Sequence, residues 1–241
     1  MFTLNHFIWL GISIIMIVGM LMLVKYRNIS FDTILTIMFI TCVLSEVIKT
    51  GANMIEIEGG GRVLDPGDLP LHLCSIQIFF IFALKFCIKK TETKEKLIAF
   101  MIPTMLLGGV IALFVPTVGV RFNKLQVYQF FGFHAMIVFF AIYLIREKTV
   151  KYTWKVYGRN MGYLGIMAMC VTWINSILSI GYEKVNFMYL VRPPMSGLPL
   201  LNLDNGWWVY FFTLVSIVLI VMTIFHIVMI LINNKHSNEA K

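Results

Sequence analysis

Seven apolar segments, each close to the length that crosses a bilayer, divide this chain and limit what it can fold into. A helix needs about 20 mostly apolar residues to span the hydrocarbon core, and a backbone in lipid must satisfy its own hydrogen bonds. Only 13% of the 241 residues are charged, about half the share of a soluble domain. We therefore predict an all-α polytopic membrane helix bundle of about seven transmembrane helices, forming one integral membrane domain over residues 1–241. The predicted spans are residues 7–24, 31–50, 70–88, 97–115, 127–145, 161–181 and 207–232.

Basic residues alternate between rich and poor loops, which predicts the orientation. Thirteen lie in the loops after spans 1, 3, 5 and 7, and five lie in the other loops. By the positive-inside rule the N-terminus is outside and the C-terminus is cytoplasmic, in a multi-pass protein of a cell membrane, with the bacterial plasma membrane expected. Because the net charge of +8 is spread over short loops, the expected partner is the membrane and not nucleic acid. The thirteen are Lys25, Arg27, Lys89, Lys90, Lys94, Lys96, Arg146, Lys148, Lys151, Lys155, Arg159, Lys235 and Lys241, and the five are Arg62, Arg121, Lys124, Lys184 and Arg192.

The four cysteines all fall inside apolar segments. Their spacing matches neither a disulfide framework nor a zinc site, so no metal and no cofactor is predicted. Buried cysteines commonly act as small apolar packing residues, which is the expected role of Cys42, Cys87 and Cys170. For Cys74 the sequence leaves packing and chemistry open.

Polar residues from four spans are predicted to meet in one layer of the outer leaflet. Polar groups inside a membrane are expensive and usually functional. From the helical rise of about 1.5 Å per residue, the layer contains Glu46, His72, Cys74, Gln129, His134 and Asn175. The layer as a whole is harder to explain by packing than any one of its members.

A thiol and an imidazole in this layer suggest nucleophilic chemistry. In a regular helix, residues two positions apart do not face one another, so His72 is a poor base for Cys74 unless the turn after Pro70 is irregular. His134, at similar depth on another helix, is the better base for a thiolate nucleophile, and Glu46 is expected to orient its ring. In the alternative reading, Glu46 only pairs with Lys49 at i+3 and His134 is a packed histidine of the bundle.

The segment before the last span is the second unusual region. Arg192 follows an aromatic and apolar stretch that begins at Asn186, and a guanidinium suits the oxygens of a lipid phosphate; an ordinary loop arginine is the alternative. The aromatic residues Trp207, Trp208 and Tyr210 are typical of an interfacial belt.

Four motifs, in this order and spacing, resemble the YwaF/TMEM164 family of multi-span membrane proteins. They are LPLHLC at 69–74, FGFH at 131–134, NFMYLVRPP at 186–194 and GWW at 206–208, and the resemblance covers nearly the whole chain from span 2 to span 7. The animal relative in this family is described as a cysteine-dependent acyltransferase that moves fatty acyl chains between phospholipids, and the resemblance implies that Cys74 is the corresponding nucleophile.

The leading functional hypothesis is thus a membrane-embedded lipid acyltransferase, with phospholipids and lysophospholipids as partners. Cys74 would form the thioester, His134 would act as base and Glu46 would support it, with Asn175 or Gln129 as candidate oxyanion donors. The expected substrate-binding residues are His72, Gln77, Gln129, Asn175, Asn186, Tyr189 and Arg192. Two alternatives stay open: a non-enzymatic seven-helix transporter, lipid flippase or receptor-like protein, and an acyl transfer that uses His and Glu without a covalent cysteine. The oligomeric state is not predicted.

Overall fold

The computed structural model describes residues 2–57, 60–182, 185–195, 197–198 and 200–239, with side chains as far as residue 234. Lys184, Lys241 and the side chain of Lys235, which contribute to the predicted charge bias, lie outside this part of the chain. The described chain is 72% helical, and six of its helices are long and apolar enough to cross a membrane. The predicted all-α, multi-pass membrane bundle is therefore confirmed.

The six long helices largely cover the predicted spans, although three of their ends lie six or seven residues beyond the prediction, and the third span differs most. Side-chain oxygens cap the first turns of three helices, because Thr3, Ser30 and Thr153 each accept a bond from the amide three residues later. These caps satisfy amides that a helix start leaves unpaired. The helices are α1 (Leu4–Arg27), α2 (Phe31–Asn53), α3 (Gln77–Phe82, continued by a π-helical turn over Ala83–Cys87), α4 (Thr91–Phe114), α5 (Leu125–Arg146), α6 (Trp154–Leu178) and α7 (Trp207–Glu239).

The third span corrects the prediction of a helix over residues 70–88. Residues 69–76 form turns, with the Ile76 amide bonded to the His72 carbonyl at 2.9 Å, and regular helix begins only at Gln77. Its eleven residues rise about 16 Å, roughly half of the hydrocarbon thickness. Non-helical backbone at membrane depth is tolerated where it is enclosed by protein or lines a cavity, and the turns do line one.

Helices α4 and α5 form the centre of the bundle. In their apolar windows 61% and 67% of the residues are buried, against 11% in α1 and 17% in α6 and α7. The outer helices therefore present most of their apolar surface outward, as expected of helices in lipid. The interior of the bundle is consequently formed mainly around α4 and α5.

A proline inside α4 creates a polar contact with α6. Pro103 has no amide hydrogen, so the carbonyl of Ala99, four residues earlier, loses its helical donor. The Asn160 amide donates to that carbonyl at 2.7 Å, and the Tyr152 hydroxyl donates at 3.3 Å. Since an unpaired buried carbonyl costs about 1–3 kcal/mol, these side chains offset the defect that the proline introduces.

One end of the bundle carries a short antiparallel β-hairpin, β1 (Ile55–Ile57) and β2 (Gly61–Val63), which the sequence did not predict. We call this end the hairpin end. It also carries a 3₁₀ turn over Pro66–Asp68, the loop between α4 and α5, and the long loop between α6 and α7 with a 3₁₀ turn over Phe187–Tyr189. The predicted outer layer lies at this end, and the orientation itself stays a prediction.

Candidate active site

A cavity of about 1310 Å³ opens within the bundle toward the hairpin end. Its wall includes the turn before α3 and faces of α2, α4, α5, α6 and α7, and most of it is apolar. Pockets for drug-sized ligands enclose about 300–1,000 Å³, so this cavity has room for a larger apolar ligand. Cys74, His134 and His72 all line it.

Cys74 is held on the turn that replaces the start of the predicted third helix. It is 8% exposed, and its neighbour Gln77 braces the turn from behind: the Gln77 amide donates to the Leu73 carbonyl at 3.1 Å and to the Thr104 hydroxyl at 3.2 Å. Gln77 is fully buried and is not part of the cavity wall. Its position indicates support for the Cys74 turn, whereas the sequence had suggested contact with substrate.

His134 presents one ring nitrogen to the cavity. Its Nδ1 lies 2.7 Å from the Phe130 carbonyl oxygen. A carbonyl can only accept, so Nδ1 carries the hydrogen and the neutral ring is left with a bare Nε2. Within the described ranges Nε2 has no hydrogen-bond partner and is not among the fully buried unpaired atoms. The ring is thus arranged to accept a proton.

His72 lies on the same wall, beside aromatic rings of the α6–α7 loop. Its ring centroid is 5.6 Å from that of Phe187 and 5.1 Å from that of Tyr189. The objection that His72 and Cys74 diverge on a regular helix does not apply, because the turn is irregular. Both residues therefore face one cavity, and His72 stands between it and the loop.

Glu46 forms an ion pair with Lys49, which the sequence analysis left open as the alternative to a contact with His134. Its carboxylate lies 2.6 Å from the Lys49 ammonium in an i,i+3 pair, with side chains 15% and 21% exposed. The carbonyl of Phe130, and not Glu46, is bonded to the imidazole of His134. Both members of the ion pair line the cavity, so its mouth carries charge of both signs.

A chain of polar contacts joins α2, the 66–68 turn and α5 at that mouth. The Asn53 amide donates to Asp68 at 2.9 Å and its oxygen accepts from Gln126, while the Gln129 amide donates to the Ser45 hydroxyl at 2.6 Å. Burial raises the pKa of the Asp68 carboxyl, against the opposing effects of Asn53 and Lys49. These contacts fix the rim of the cavity.

Two asparagines shape the α6–α7 loop. Asn175, 1% exposed, donates to the Phe187 carbonyl at 3.0 Å and accepts from the Phe187 amide at 2.8 Å. Asn186 donates to the Arg192 carbonyl at 2.8 Å and accepts from its amide at 3.2 Å. Because the amide of Asn175 is already bonded and the residue is outside the cavity wall, its geometry supports holding the loop and not binding an oxyanion.

Tyr189 joins the large cavity to a smaller one. The smaller cavity, about 230 Å³, is lined by Arg192 and Asn186 and shares His72, Thr117 and Tyr189 with the larger one. Burial raises the pKa of the Tyr189 phenol, a hydrogen bond with Thr117 lowers it, and negative charge on Cys74 raises it. Tyr189 and Cys74 line the same large cavity.

The backbone at this junction is unusual. Met188 and Tyr189 both have φ of 56°, in the left-handed region that residues with side chains rarely adopt. Such a conformation persists where its surroundings fix it. Here Tyr210 on α7 donates to the Tyr189 carbonyl, and the Trp207 indole donates to the Leu190 carbonyl at 3.2 Å. Two members of the predicted aromatic belt therefore hold the loop over the site.

The structure thus brings together most of the predicted site residues and separates a few. Gln77 and Asn175 support the cavity walls from behind. The walls themselves include Glu46, Cys74, Gln129 and His134 in the larger cavity, Asn186 and Arg192 in the smaller one, and His72 and Tyr189 in both. Sequence reasoning missed Thr117, Asn53 and Gln126, which sit near helix ends where polar residues attract little notice. It also missed Gly108, although two adjacent glycines inside an apolar helix were visible in the sequence.

His226, for which the sequence suggested no role, is in a separate polar cluster. Its Nδ1 lies 2.7 Å from the Met222 carbonyl and its Nε2 accepts from the Asn160 amide at 3.1 Å. It is fully buried and is not part of the cavity wall. It therefore contributes to the contact that α6 and α7 make with the proline-interrupted α4.

Comparison with known proteins places the whole arrangement in a family. No curated protein and no solved structure matches the chain. The model of the TMEM164 family matches residues 1–226, which include all seven helices except the last part of α7 and every residue of both cavity walls. The match extends the resemblance seen in four motifs to the first span. This chain belongs to the TMEM164 family.

Proposed function

We propose that this protein is a membrane-embedded lipid acyltransferase that carries a fatty acyl group on Cys74. The observation that carries the proposal is that the Cys74 thiol and the unpaired Nε2 of His134 share one large, mainly apolar cavity. An acyl chain is apolar and long, and it needs such a space beside the nucleophile. A membrane-spanning bundle with an open cavity provides it without exposing the chain to water.

The first half-reaction forms a thioester. His134 accepts the thiol proton at Nε2 as Cys74 Sγ attacks the ester carbonyl of a phospholipid. The ester C–O bond then breaks, and the departing lysophospholipid oxygen takes the proton from His134. In the second half-reaction an acceptor hydroxyl gives its proton to His134 and attacks the thioester carbonyl. The C–S bond breaks, the new ester is released, and His134 returns the proton to Cys74 Sγ.

The polar groups around the cavity suit the other parts of such a substrate. Arg192 lines the smaller cavity next to His72 and Tyr189, and a guanidinium can bind two phosphate oxygens at once. We assign the headgroup to this smaller cavity and the acyl chain to the larger one. The Tyr189 phenol lines the same cavity as Cys74, and we assign it as the donor for the oxyanion in place of Asn175, which lies outside the cavity wall.

The test is acyl-thioester labelling of the purified protein with a phospholipid that carries a labelled acyl chain. The wild-type chain should acquire hydroxylamine-sensitive label, Cys74→Ser should lose the thioester, and His134→Ala should form it at least about 10²-fold more slowly. Cys170→Ser, at an exposed cysteine, is the matched control and should label normally. Normal turnover of a defined lipid pair by Cys74→Ser would exclude Cys74 as nucleophile and favour acyl transfer without a covalent cysteine.

One observation favours a second candidate, a lipid transporter or lipid-binding protein. The third helix is interrupted beside the cavity, and interrupted helices commonly form the binding sites of transporters. Under this alternative, the protein should bind or translocate a fluorescent phospholipid equally well with Cys74→Ser and with wild type, and neither should form a thioester.

A further inference from the structure

Two adjacent glycines of α4 contact the two halves of the proposed active site. Glycine inside a helix is less stable than alanine, so a pair of glycines in a buried helix calls for a structural reason. In the part of the chain that the structure describes, seven other helical glycines, such as Gly132 and Gly158, have nothing within 4 Å of the position that a Cβ would take. Gly108 and Gly109 differ from all of these.

Gly108 lies directly against the Cys74 thiol. A Cβ on Gly108 would be 2.6 Å from Cys74 Sγ, closer than real contacts allow, but 3.6 Å from the Cys74 amide nitrogen and from Leu73 Cβ, which are ordinary distances. An added methyl group would therefore displace the thiol and leave the surrounding backbone in place. Since a cysteine side chain rotates about a single bond, the predicted effect is a change in the direction of the thiol.

Gly109 lies directly against the helix that carries His134. A Cβ on Gly109 would be 2.8 Å from Val138 Cγ2 and 3.4 Å from the His134 carbonyl oxygen. Consecutive helical residues point about 100° apart, so one glycine faces the Cys74 turn and the next faces α5. The two contacts together set how closely the turn and α5 approach α4.

We propose that Gly108 and Gly109 are positioning residues, whose missing side chains set the placement of the Cys74 thiol relative to the His134 ring. The inference rests on the proposed Cys74–His134 chemistry. Neither glycine touches a reacting atom of the substrate. Gly108 acts through Cys74, and Gly109 acts through the helix that carries His134. A misplacement of reacting groups by about 1 Å can slow a reaction about 10²-fold.

The test measures the thiol and not the acyl transfer. In protein carrying Cys42→Ala, Cys87→Ser and Cys170→Ser, Cys74 is the only thiol, and its alkylation by N-ethylmaleimide can be followed from pH 6 to pH 9. His134→Gln should slow alkylation at the lower pH values at least about tenfold, because the imidazole no longer takes the proton. With Gly108→Ala this dependence on His134 should disappear, whereas Gly132→Ala, on α5, should behave like the parent within about twofold.

The effect of Gly109→Ala on the reactivity of Cys74 can be reversed by a second substitution. The nearest atom to its added methyl group is Val138 Cγ2, so Val138→Ala in the same chain should restore the dependence on His134 that Gly109→Ala weakens. The rescue separates a shift of α5 from a general loss of folding, which thermal unfolding of each variant checks directly.

The outcomes distinguish this inference from the proposed function. If Gly108→Ala retains the parent's rate and its dependence on His134, the positioning role is overturned while acyl-thioester formation on Cys74 stands. If the parent itself shows no dependence on His134, the proposed pair fails and the positioning role fails with it. Loss of the dependence in Gly108→Ala, with an unchanged unfolding midpoint, supports the inference.

Discussion

His134 and His226 make the same local contact through Nδ1 but differ in what surrounds Nε2. Each Nδ1 lies 2.7 Å from the carbonyl oxygen four residues earlier, so each neutral ring leaves Nε2 as its acceptor. The Nε2 of His226 is bonded to Asn160 inside the bundle, whereas the ring of His134 lines an open cavity. The helix that carries each histidine therefore fixes the tautomer of its ring, while the neighbouring helix decides whether that ring is free to react.

The largest expected effect separates the two histidines by activity and stability. His134→Gln should reduce kcat/KM for acyl transfer by about 10²-fold or more, because proton transfer to a positioned base contributes at least that much, and should leave the unfolding midpoint nearly unchanged. His226→Gln should instead lower the stability by about 1–3 kcal/mol and leave the activity of the folded protein intact. Activity assays on a defined lipid pair and thermal unfolding in detergent check both. The reverse pattern would contradict the comparison.

The next effect concerns the contact that holds His226. Asn160→Leu should destabilise the protein by about 2–3 kcal/mol, because the Ala99 carbonyl loses its closest donor and His226 Nε2 loses its only donor in the described structure. Pro103→Ala restores a helical amide for Ala99, so Asn160→Leu should be less damaging in that background. A double-mutant cycle on unfolding free energies measures the coupling. Additive effects of the two substitutions would show that Pro103 and Asn160 are unrelated.

A smaller effect is expected for the hydroxyl group of Tyr189, which lines the same cavity as His134. Tyr189→Phe should lower the rate of acyl transfer about tenfold, the equivalent of about 1.4 kcal/mol in the transition state. Burial raises the pKa of Tyr189 above its ordinary value of about 10, so the phenol keeps its proton to higher pH. The ratio of the wild-type and variant rates should therefore be constant from pH 6 to pH 9. Tyr128→Phe, whose hydroxyl donates to the Phe122 carbonyl at the same end, is the control and should keep full activity.

The smallest effect is expected at Glu46. Because the Phe130 carbonyl already holds the ring of His134 and Glu46 pairs with Lys49, Glu46→Gln should change kcat by no more than about fivefold, the equivalent of about 1 kcal/mol. Steady-state kinetics on the same lipid pair give the value. A loss of about 10²-fold would mean that a carboxylate orients His134 during the reaction, as the sequence first suggested.

The sequence predicts the long helices well because their signal is local. Runs of apolar residues specify α1, α2, α4, α5, α6 and α7, and the structure starts and ends them within a few residues of the predictions except at Trp154, Glu239 and Thr91. The turn before α3 escaped prediction because its hydropathy is that of a span. Pro66, Gly67 and Pro70 at and before this turn are local signals of a break, but they do not show where the helix resumes.

The site could be predicted in its members but not in their roles. Depth along each span brought Cys74 and His134 together, since helical rise is regular. Whether Asn175 faces a ligand or a loop carbonyl depends on where the chain returns twelve residues later, at Phe187. The spacing of Glu46 allowed both an ion pair and a catalytic contact, and only the direction of the side chain separates the two.

The shortness of α3 bears on how the protein is made. The eleven residues of α3 are about half of the 20 or so that cross a bilayer as a helix. We therefore expect α3 to depend on a neighbour for its place in the membrane, and α4 follows it after only a three-residue loop. Cys74, on the turn before α3, lies directly against Gly108 of α4. We therefore expect the candidate active site to form during biogenesis only after α4 has been synthesised and packed.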